Sequence, residues 1–413
     1  MENCYSAIGI DMRQSYITQR QEINATGFAV YTLLEFSDNR KIAAPKGYSS
    51  DIVTTIENFK YTTTESNVKP TVILILAESL FEVESIEDVT FNMKLTSNIA
   101  PYKVADTISP SYGGRTAAAE FEALTGLSNL FVDGDAMVYT DYLSRNGAHT
   151  GGLAKEFKAN GYSAYAVHAN TASYYSRDIV YENMGFDQFI YKDKFELSEE
   201  DILEDSSTKD AAFVDEILKL LEGNDEPMFI FGASIEGHSP YMRNSDSSKY
   251  KQLDVVASSD KYDDVVLTEL SSYAQTVYNF DQQMGCLFDY FEENNRSVLI
   301  YIFGDHLPAI EINEQNGYLD DKWLKYRTPL YVYSNYCETS IEEDAISTSQ
   351  IAPEILRKAG ISHSAYFDYI YQLRETYPIT QKEFVEDITS EQLNLYNQIQ
   401  WDLLHGERYL LDE

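Results

Sequence analysis

The chain has 413 residues, of which 44% are hydrophobic and 13% aromatic; it can bury a large core and is too apolar to be disordered. Its formal charge of −36, from 31 basic and 67 acidic residues, leaves no basic surface to neutralise nucleic-acid phosphates and excludes that class of partner. Cys4, Cys286 and Cys337 lie far apart with no CxxC pair, which excludes a disulfide framework and a cysteine-based zinc site.

No apolar run reaches the ~20 residues of a membrane span, so the chain as given is expected to be soluble, and no signal-peptide pattern follows Met1. Residues 1–69 read as an N-terminal linker packed on the core: 10–23 polar and helix-prone, Gly27–Phe36 apolar, Asn24-Ala25-Thr26 a formal glycosylation sequon, and Ala43–Ser50 turn-rich. From Pro70 an alternation begins. Thr71–Ala77, Ser163–Val167, Pro227–Ile235, Ser297–Phe303 and Thr328–Tyr333 are apolar runs of strand length, and Thr116–Leu124, Ala148–Asn160, Lys209–Leu221 and Val265–Glu293 between them carry helical spacing. Strands apolar on both faces, separated by helices, predict an α/β fold: a mostly parallel central sheet covered by helices on both sides. The catalytic unit is expected over 70–335. Residues 336–413 read as a small C-terminal α+β subdomain of a few strands and a terminal helix, with helical periodicity in Ser347–Lys358 and Ser390–Leu404 and an aromatic-rich Tyr366–Leu373.

The stretch Ser109–Gly126, SPSYGGRTAAAEFEALTG, places Thr116 directly after Gly113-Gly114-Arg115 and at the start of a helix. Free N–H groups and the positive dipole end of the first helical turn suit a phosphate or sulfate there. Taken alone, Thr116 reads first as a helix cap. The strand ends change the balance, because in open α/β sheets the ligand site lies outside the carboxyl ends of the strands. Glu78, His168, His238 and the pair Asp305-His306 all follow strands and are expected at one edge; of the six histidines, His149 is a further candidate in this part of the chain, while His363 and His405 lie in the tail. Hard oxygen donors with an imidazole suit Mn²⁺, Mg²⁺ or Zn²⁺. A cation bridging Glu78, Asp305, His306 and the Thr116 oxygen would lower the pKa of that hydroxyl and make it a nucleophile.

The motifs AES at 77–79, GGRTAAAEF at 113–121, VHANTASYYSRDIVYENMGFDQF at 167–189, SIEGHSPY at 234–241 and FGDH at 303–306 resemble, in order, the extracellular catalytic domain of lipoteichoic acid synthase and related phosphoglycerol transferases of the alkaline phosphatase and sulfatase superfamily. The resemblance runs from about residue 20 to the closing YNQIQWDLLHGERYL. It implies Thr116 as nucleophile and metal ligand, with Glu78, Asp305 and His306 completing a site for one divalent ion, usually manganese or magnesium. His168, Asn170, Tyr175, Arg177 and His238 would hold the phosphate and glycerol of the substrate. Two positions depart from the family: its usual Gly-Lys-Thr is Gly114-Arg115-Thr116 here, and an aromatic that is often Trp is Tyr175.

The expected chemistry is attack of the Thr116 oxygen on a phosphodiester, with Arg177 offsetting charge on the transferring group and His238 or His168 supplying the proton to the leaving alcohol. The covalent phospho-threonine would then pass its group to an acceptor hydroxyl or to water. By resemblance the donor is phosphatidylglycerol or a similar phospholipid, and the acceptor is a glycerol-phosphate polymer or other glycopolymer of the cell envelope. A phosphoethanolamine transferase, a phosphodiesterase or a sulfatase is the alternative within the superfamily. Sulfatase activity is disfavoured, because aligning Pro110 with the C/S-x-P-x-R motif leaves Ile108 at the nucleophile and Tyr112 at the arginine position. A non-enzymatic envelope-binding domain is the third reading. Relatives carry transmembrane helices, so the expected location is the extracellular face of a bacterial membrane, with contact through a tether absent from this chain. The acidic surface itself disfavours tight adhesion to anionic lipid.

Overall fold

A computed structural model describes residues 43–61, 68–134, 136–145, 148, 150–224, 226–242 and 249–411. The expectations for 10–23, Gly27–Phe36, the sequon at 24–26, Cys4 and His149 lie outside these residues.

Ten strands are present among the described residues: β1 (Thr71–Ala77), β2 (Thr90–Phe91), β3 (Lys103–Ile108), β4 (Ser163–His168), β5 (Gln188–Tyr191), β6 (Met228–Ala233), β7 (Ala257–Ser258), β8 (Val298–Gly304), β9 (Arg327–Ser334) and β10 (Ala345–Ser347). Eight form one sheet in the order β10-β3-β9-β8-β1-β6-β4-β5, and β2 and β7 form a separate ribbon. Within the large sheet only β9 runs against its neighbours; the other pairings are parallel. The principal helices are α1 (Ile52–Glu57), α2 (Thr116–Thr125), α3 (Leu153–Ala159), α4 (Arg177–Met184), α5 (Asp210–Glu222), α6 (Asp264–Asn294), α7 (Glu311–Gln315), α8 (Lys322–Tyr326), α9 (Ile351–Lys358), α10 (Ala365–Leu373) and α11 (Glu391–Leu404).

The core follows from strand alternation. Successive side chains of a strand point to opposite faces. Val72, Leu74 and Leu76 of β1 therefore join one apolar cluster with α2, α3, α4, α9, α10 and α11. Ile73, Ile75 and Ala77 join a second cluster with α5 and α6. The result is the expected helix–sheet–helix sandwich. No helix among the described residues is long and apolar enough to cross a membrane.

Three expectations are corrected. Strand β3 is absent from the sequence reading; its run KVADTI mixes charge with apolar residues, and its outer neighbour β10 is only three residues long, so it lacks the continuous apolar signal of a central strand. The helix expected from Ala148 begins only at Leu153, after the Gly151-Gly152 pair. The C-terminal stretch supplies one strand rather than several, and that strand pairs with β3 in the main sheet, while α9, α10 and α11 share the cluster of α2. Residues 43–61 strap onto this helical face: Ile52 and Ile56 are buried in it, Tyr48 donates to Asp402, and the Tyr61 amide donates to Asp368 at 2.9 Å.

Two glycines set how closely the strand ends approach. A Cβ on Gly237 would lie 2.1 Å from the Glu78 carbonyl oxygen, and one on Gly304 would lie 2.1 Å from that of Leu80. Substituting Gly237→Ala should destabilise the fold by roughly 1–3 kcal/mol through overpacking and weaken divalent-cation binding at Glu78; urea unfolding and calorimetry would measure the two effects.

Candidate active site

Five parallel strands deliver the side chains. β1 ends at Glu78, β4 in His168, and β8 in Asp305-His306; β6 leads through Glu236 and Gly237 to His238, and β3 leads through the loop at 109–115 to Thr116. Thr116 is the first residue of α2; Arg115 holds the N-cap position at φ +67°, and no side chain caps the helix. The cap reading of Thr116 is thereby excluded. Its hydroxyl instead points to Glu78 Oε2 at 3.5 Å.

Glu78, Asp305 and His306 are all buried, and one ligand atom from each lies within 4.8 Å of the others. The Ser79 amide (2.7 Å) and the His306 amide (3.0 Å) both donate to Asp305 Oδ1. Ser79 Oγ donates to Glu78 Oε1 at 2.9 Å. Ser79 lies in the left-handed region at φ +57°, an unfavourable conformation for a residue with a Cβ, and Tyr273 from α6 holds it there by donating to its carbonyl at 2.8 Å. Ser109 Oγ donates to the Asp305 carbonyl, joining the nucleophile loop to β8.

The donor set fits a divalent cation. His306 Nδ1 is 3.0 Å from the Leu307 carbonyl, so Nδ1 carries the proton and Nε2 presents a lone pair, the arrangement that orients histidine ligands. That lone pair lies 3.2 Å from Asp305 Oδ2, an oxygen that is buried without a hydrogen bond. Burial, and then Glu78, push the Asp305 carboxyl up to about 6. Lone pairs of two carboxylates and an imidazole thus converge on one point, with the Thr116 hydroxyl beside them. A hard cation satisfies such a set.

The residues expected to hold substrate fall into two groups. His168 and Arg177 are buried at 2% exposure each. His168 Nδ1 donates to the Ala233 carbonyl at 2.9 Å, and Nε2 is buried with no partner. Burial, then Arg177, hold this ring down at about 3, so it is neutral and Nε2 is an acceptor. The expectation that His168 could act as proton donor is corrected on that ground. Tyr175 lies 5.1 Å from the Arg177 guanidinium carbon and is half-buried, and Glu78 is among the charges that raise its hydroxyl pKa after burial. His238 is exposed, one residue beyond the glycine that packs on Glu78. Asn170 is half-buried, and its Oδ1 accepts from the Thr171 amide at 2.8 Å; its side chain serves the turn, and no contact brings it to the Glu78 cluster.

The sequence reading missed several supporting residues. Glu120, one turn after Thr116, is fully buried; its carboxylate accepts from Arg177 Nε at 3.0 Å and from Nη2 at 2.5 Å, and from the Tyr181 hydroxyl at 2.7 Å. Burial would raise this carboxyl, but Arg177 outweighs it and holds the pKa below the usual value. The signal was a pair of carboxylates, Glu120 and Glu122, in an otherwise apolar helix. Glu236 anchors the His238 loop: its carboxylate accepts from the Asp210 amide (2.7 Å), Tyr250 (2.6 Å) and Asn279 (2.7 Å). The buried Lys249 ammonium donates to the Glu236 carbonyl at 2.8 Å and to that of His238.

Residues 70–361 match the sulfatase family, and the chain belongs to it, within the alkaline phosphatase and sulfatase superfamily. Its fold is similar to that of phosphoglycerol transferase GacH from Streptococcus pyogenes, solved in complex with sn-glycerol-1-phosphate, with a TM-score of 0.74 and 22% identity over 90% of this chain and 98% of that one. It is also similar to the lipoteichoic acid synthase LtaP from Listeria monocytogenes, with a TM-score of 0.60 and 17% identity over 87% of this chain and 98% of that one. A putative cyclic beta-1,2-glucan modification protein of Rhizobium meliloti (strain 1021) is 27% identical over 95% of this chain, which spans 63% of that relative's length. The likeness to lipoteichoic acid synthases and the α/β fold read from the motifs are borne out.

Two measurements test the site. Asp305→Asn should abolish the rise in melting temperature that divalent cations give the wild type, yet raise the cation-free melting temperature, because an amide nitrogen in place of Oδ2 can donate to His306 Nε2, 3.2 Å away; scanning fluorimetry reads both. His168 titrates near 6.5 when unfolded and at about 3 when folded. Its contribution to stability is therefore complete above pH 6.5 and is lost as pH falls toward 3. His168→Asn, which keeps a donor for the Ala233 carbonyl, should lose less stability than wild type over that interval in denaturant melts.

Proposed function

We propose that this chain is a metal-dependent phosphoglycerol transferase that uses Thr116 as nucleophile, taking glycerol phosphate from phosphatidylglycerol and passing it to an envelope glycopolymer. The observation that carries the reading is the Thr116 hydroxyl at the first turn of a buried helix, 3.5 Å from Glu78 Oε2 and beside the converging donors of Asp305 and His306. Glu78, Asp305, His306 and Thr116 would hold the cation, with Mn²⁺ favoured over Mg²⁺ and Zn²⁺. Such an ion lowers the hydroxyl pKa and offsets charge on the phosphoryl group.

The protein's own groups account for the rest. Thr116 gives up its hydroxyl proton to solvent, and its oxygen forms a bond to phosphorus while the bond from phosphorus to the diacylglycerol oxygen breaks. His238, exposed at the rim, gives its proton to the leaving alcohol. Arg177 donates to the phosphoryl oxygens. His168 Nε2 accepts from a glycerol hydroxyl, and Tyr175 covers the glycerol. In the second step an acceptor hydroxyl attacks phosphorus and its proton returns to His238, while the bond from phosphorus to the Thr116 oxygen breaks and that oxygen takes a proton back from solvent. All these residues fall within 70–335, which we read as the catalytic unit, braced by 336–413 and by the strap that precedes it. Two comparisons support this choice within the superfamily: GacH was solved with sn-glycerol-1-phosphate, and a relative aligned along most of the chain is named for glucan modification. The sulfatase nucleophile motif lacks both its defining residues, with Ile108 and Tyr112 in their places. Placement at the outer face of a membrane brings the site to its lipid donor.

Intact mass after incubation with Mn²⁺ and phosphatidylglycerol, or a soluble glycerophosphodiester, tests the proposal. A metal-dependent gain equal to glycerol phosphate is expected in wild type and absent in Thr116→Ala. Free glycerol phosphate released without any polymer acceptor, at the rate of donor consumption, would indicate a phosphodiesterase instead.

A further inference from the structure

We propose that Glu120 is a positioning residue that sets which edge of Arg177 meets the substrate, and that it ties this cation to the nucleophile through the single rigid body of α2. The inference rests on the phosphoryl-transfer reading above.

Thr116 and Glu120 are four residues apart on α2 and so lie on one face of that helix. Glu120 engages Arg177 through Nε and Nη2. A guanidinium carries five N–H groups in a fixed plane. With one side occupied and one Nη1 proton given to the Tyr174 carbonyl, the second protons of Nη1 and Nη2 remain for a ligand, a geometry that fits two oxygens of one phosphoryl group. The second Glu120 oxygen is held by Tyr181 from α4 at 2.7 Å, and the Tyr174 carbonyl lies 3.4 Å from Nη1. The carboxylate therefore cannot turn, and neither can the guanidinium. Helices α2 and α4, which begin at the two functional residues Thr116 and Arg177, are joined one turn inside by a buried ion pair.

Electrostatics alone and positioning make opposite forecasts. Removing the Glu120 charge leaves a more positive site, so a purely Coulombic role predicts tighter anion binding in Glu120→Gln. Positioning predicts weaker binding, by about 10- to 100-fold as for other residues that orient a ligand group, together with a similar fall in kcat/KM. The experiment measures melting temperature, affinity for inorganic phosphate in the presence of Mg²⁺, and turnover of a soluble glycerophosphodiester. It compares wild type, Glu120→Gln, Arg177→Gln, the double variant and the milder Tyr181→Phe.

Each single charge removal should lower the melting temperature, and the double variant should recover most of the loss because no buried charge is left alone. Phosphate affinity should not recover; it should match that of Arg177→Gln. Tyr181→Phe should retain the fold and show a smaller loss of affinity in the same direction. The inference is overturned if Glu120→Gln binds phosphate as tightly as wild type or more so. It is also overturned if affinity returns with stability in the double variant, which would make the pair a purely structural bridge. A wild type that binds phosphate in this pattern yet turns over no glycerophosphodiester would sink the functional reading and leave the positioning role standing.

Discussion

Everything at the functional edge depends on one constraint: two carboxylates and an imidazole lone pair are held together where water is scarce. Glu78, Asp305 and His306 are buried, and like charges in a low-dielectric setting repel far more strongly than in water. The fold brings them together through backbone donors that a cation would not displace, the amides of Ser79 and His306 on Asp305 Oδ1. The oxygen and nitrogen that face inward are left without protons to share. A site of this kind is organised in advance for a cation, because the lost solvation has already been offset by the strength of the surrounding sheet.

That strength lies in the central strands. β1 is buried along its whole length and hydrogen-bonded on both sides, to β6 and β8. Its end carries Glu78 and the left-handed Ser79. Strain at such a residue persists only where the surroundings over-determine it, and here the Tyr273 hydroxyl, Asp305 and Glu78 all bind Ser79. Arg115 repeats the device before Thr116, also at positive φ. The two sharp backbone turns aim the carboxylate of β1 and the hydroxyl of α2 at the same place.

The second layer of the site is a set of buried charges paired away from the cation cluster. Arg177 with Glu120 and Lys249 with the carbonyls of Glu236 and His238 each fix a group that the proposed function assigns to the substrate. Breaking a buried ion pair by removing one partner typically costs about 3–5 kcal/mol, so these residues bind stability to site geometry. In a chain with a formal charge of −36, the buried Arg177 and Lys249 supply positive charge beside the groups assigned to an anionic substrate in the proposed function.

Much of this was legible along the chain. Continuous apolar runs mark β1, β4, β6, β8 and β9 because strands buried on both faces have no polar side to show, and the residue after such a strand in an α/β sheet is a site candidate by topology. Glu78, His168 and Asp305-His306 are found that way, and Thr116 by its glycine-rich approach to a helix. Edge and mixed elements were not legible: β3 and β10 are stabilised by pairing with distant segments, and neither carries a periodicity of its own. The roles of Glu120, Ser79, Tyr273 and Lys249 depend on contacts across 57, 226, 194 and 11 residues of sequence, and local pattern holds no information about partners at that range. The amino-acid sequence by itself thus determined the layer architecture and the chemical types at the strand ends, since both follow from burial periodicity. Only the tertiary structure decided which lone pairs converge, which histidine is neutral and which edge of Arg177 Glu120 occupies, because protonation and orientation depend on desolvation and on hydrogen-bond partners that the fold alone brings within reach.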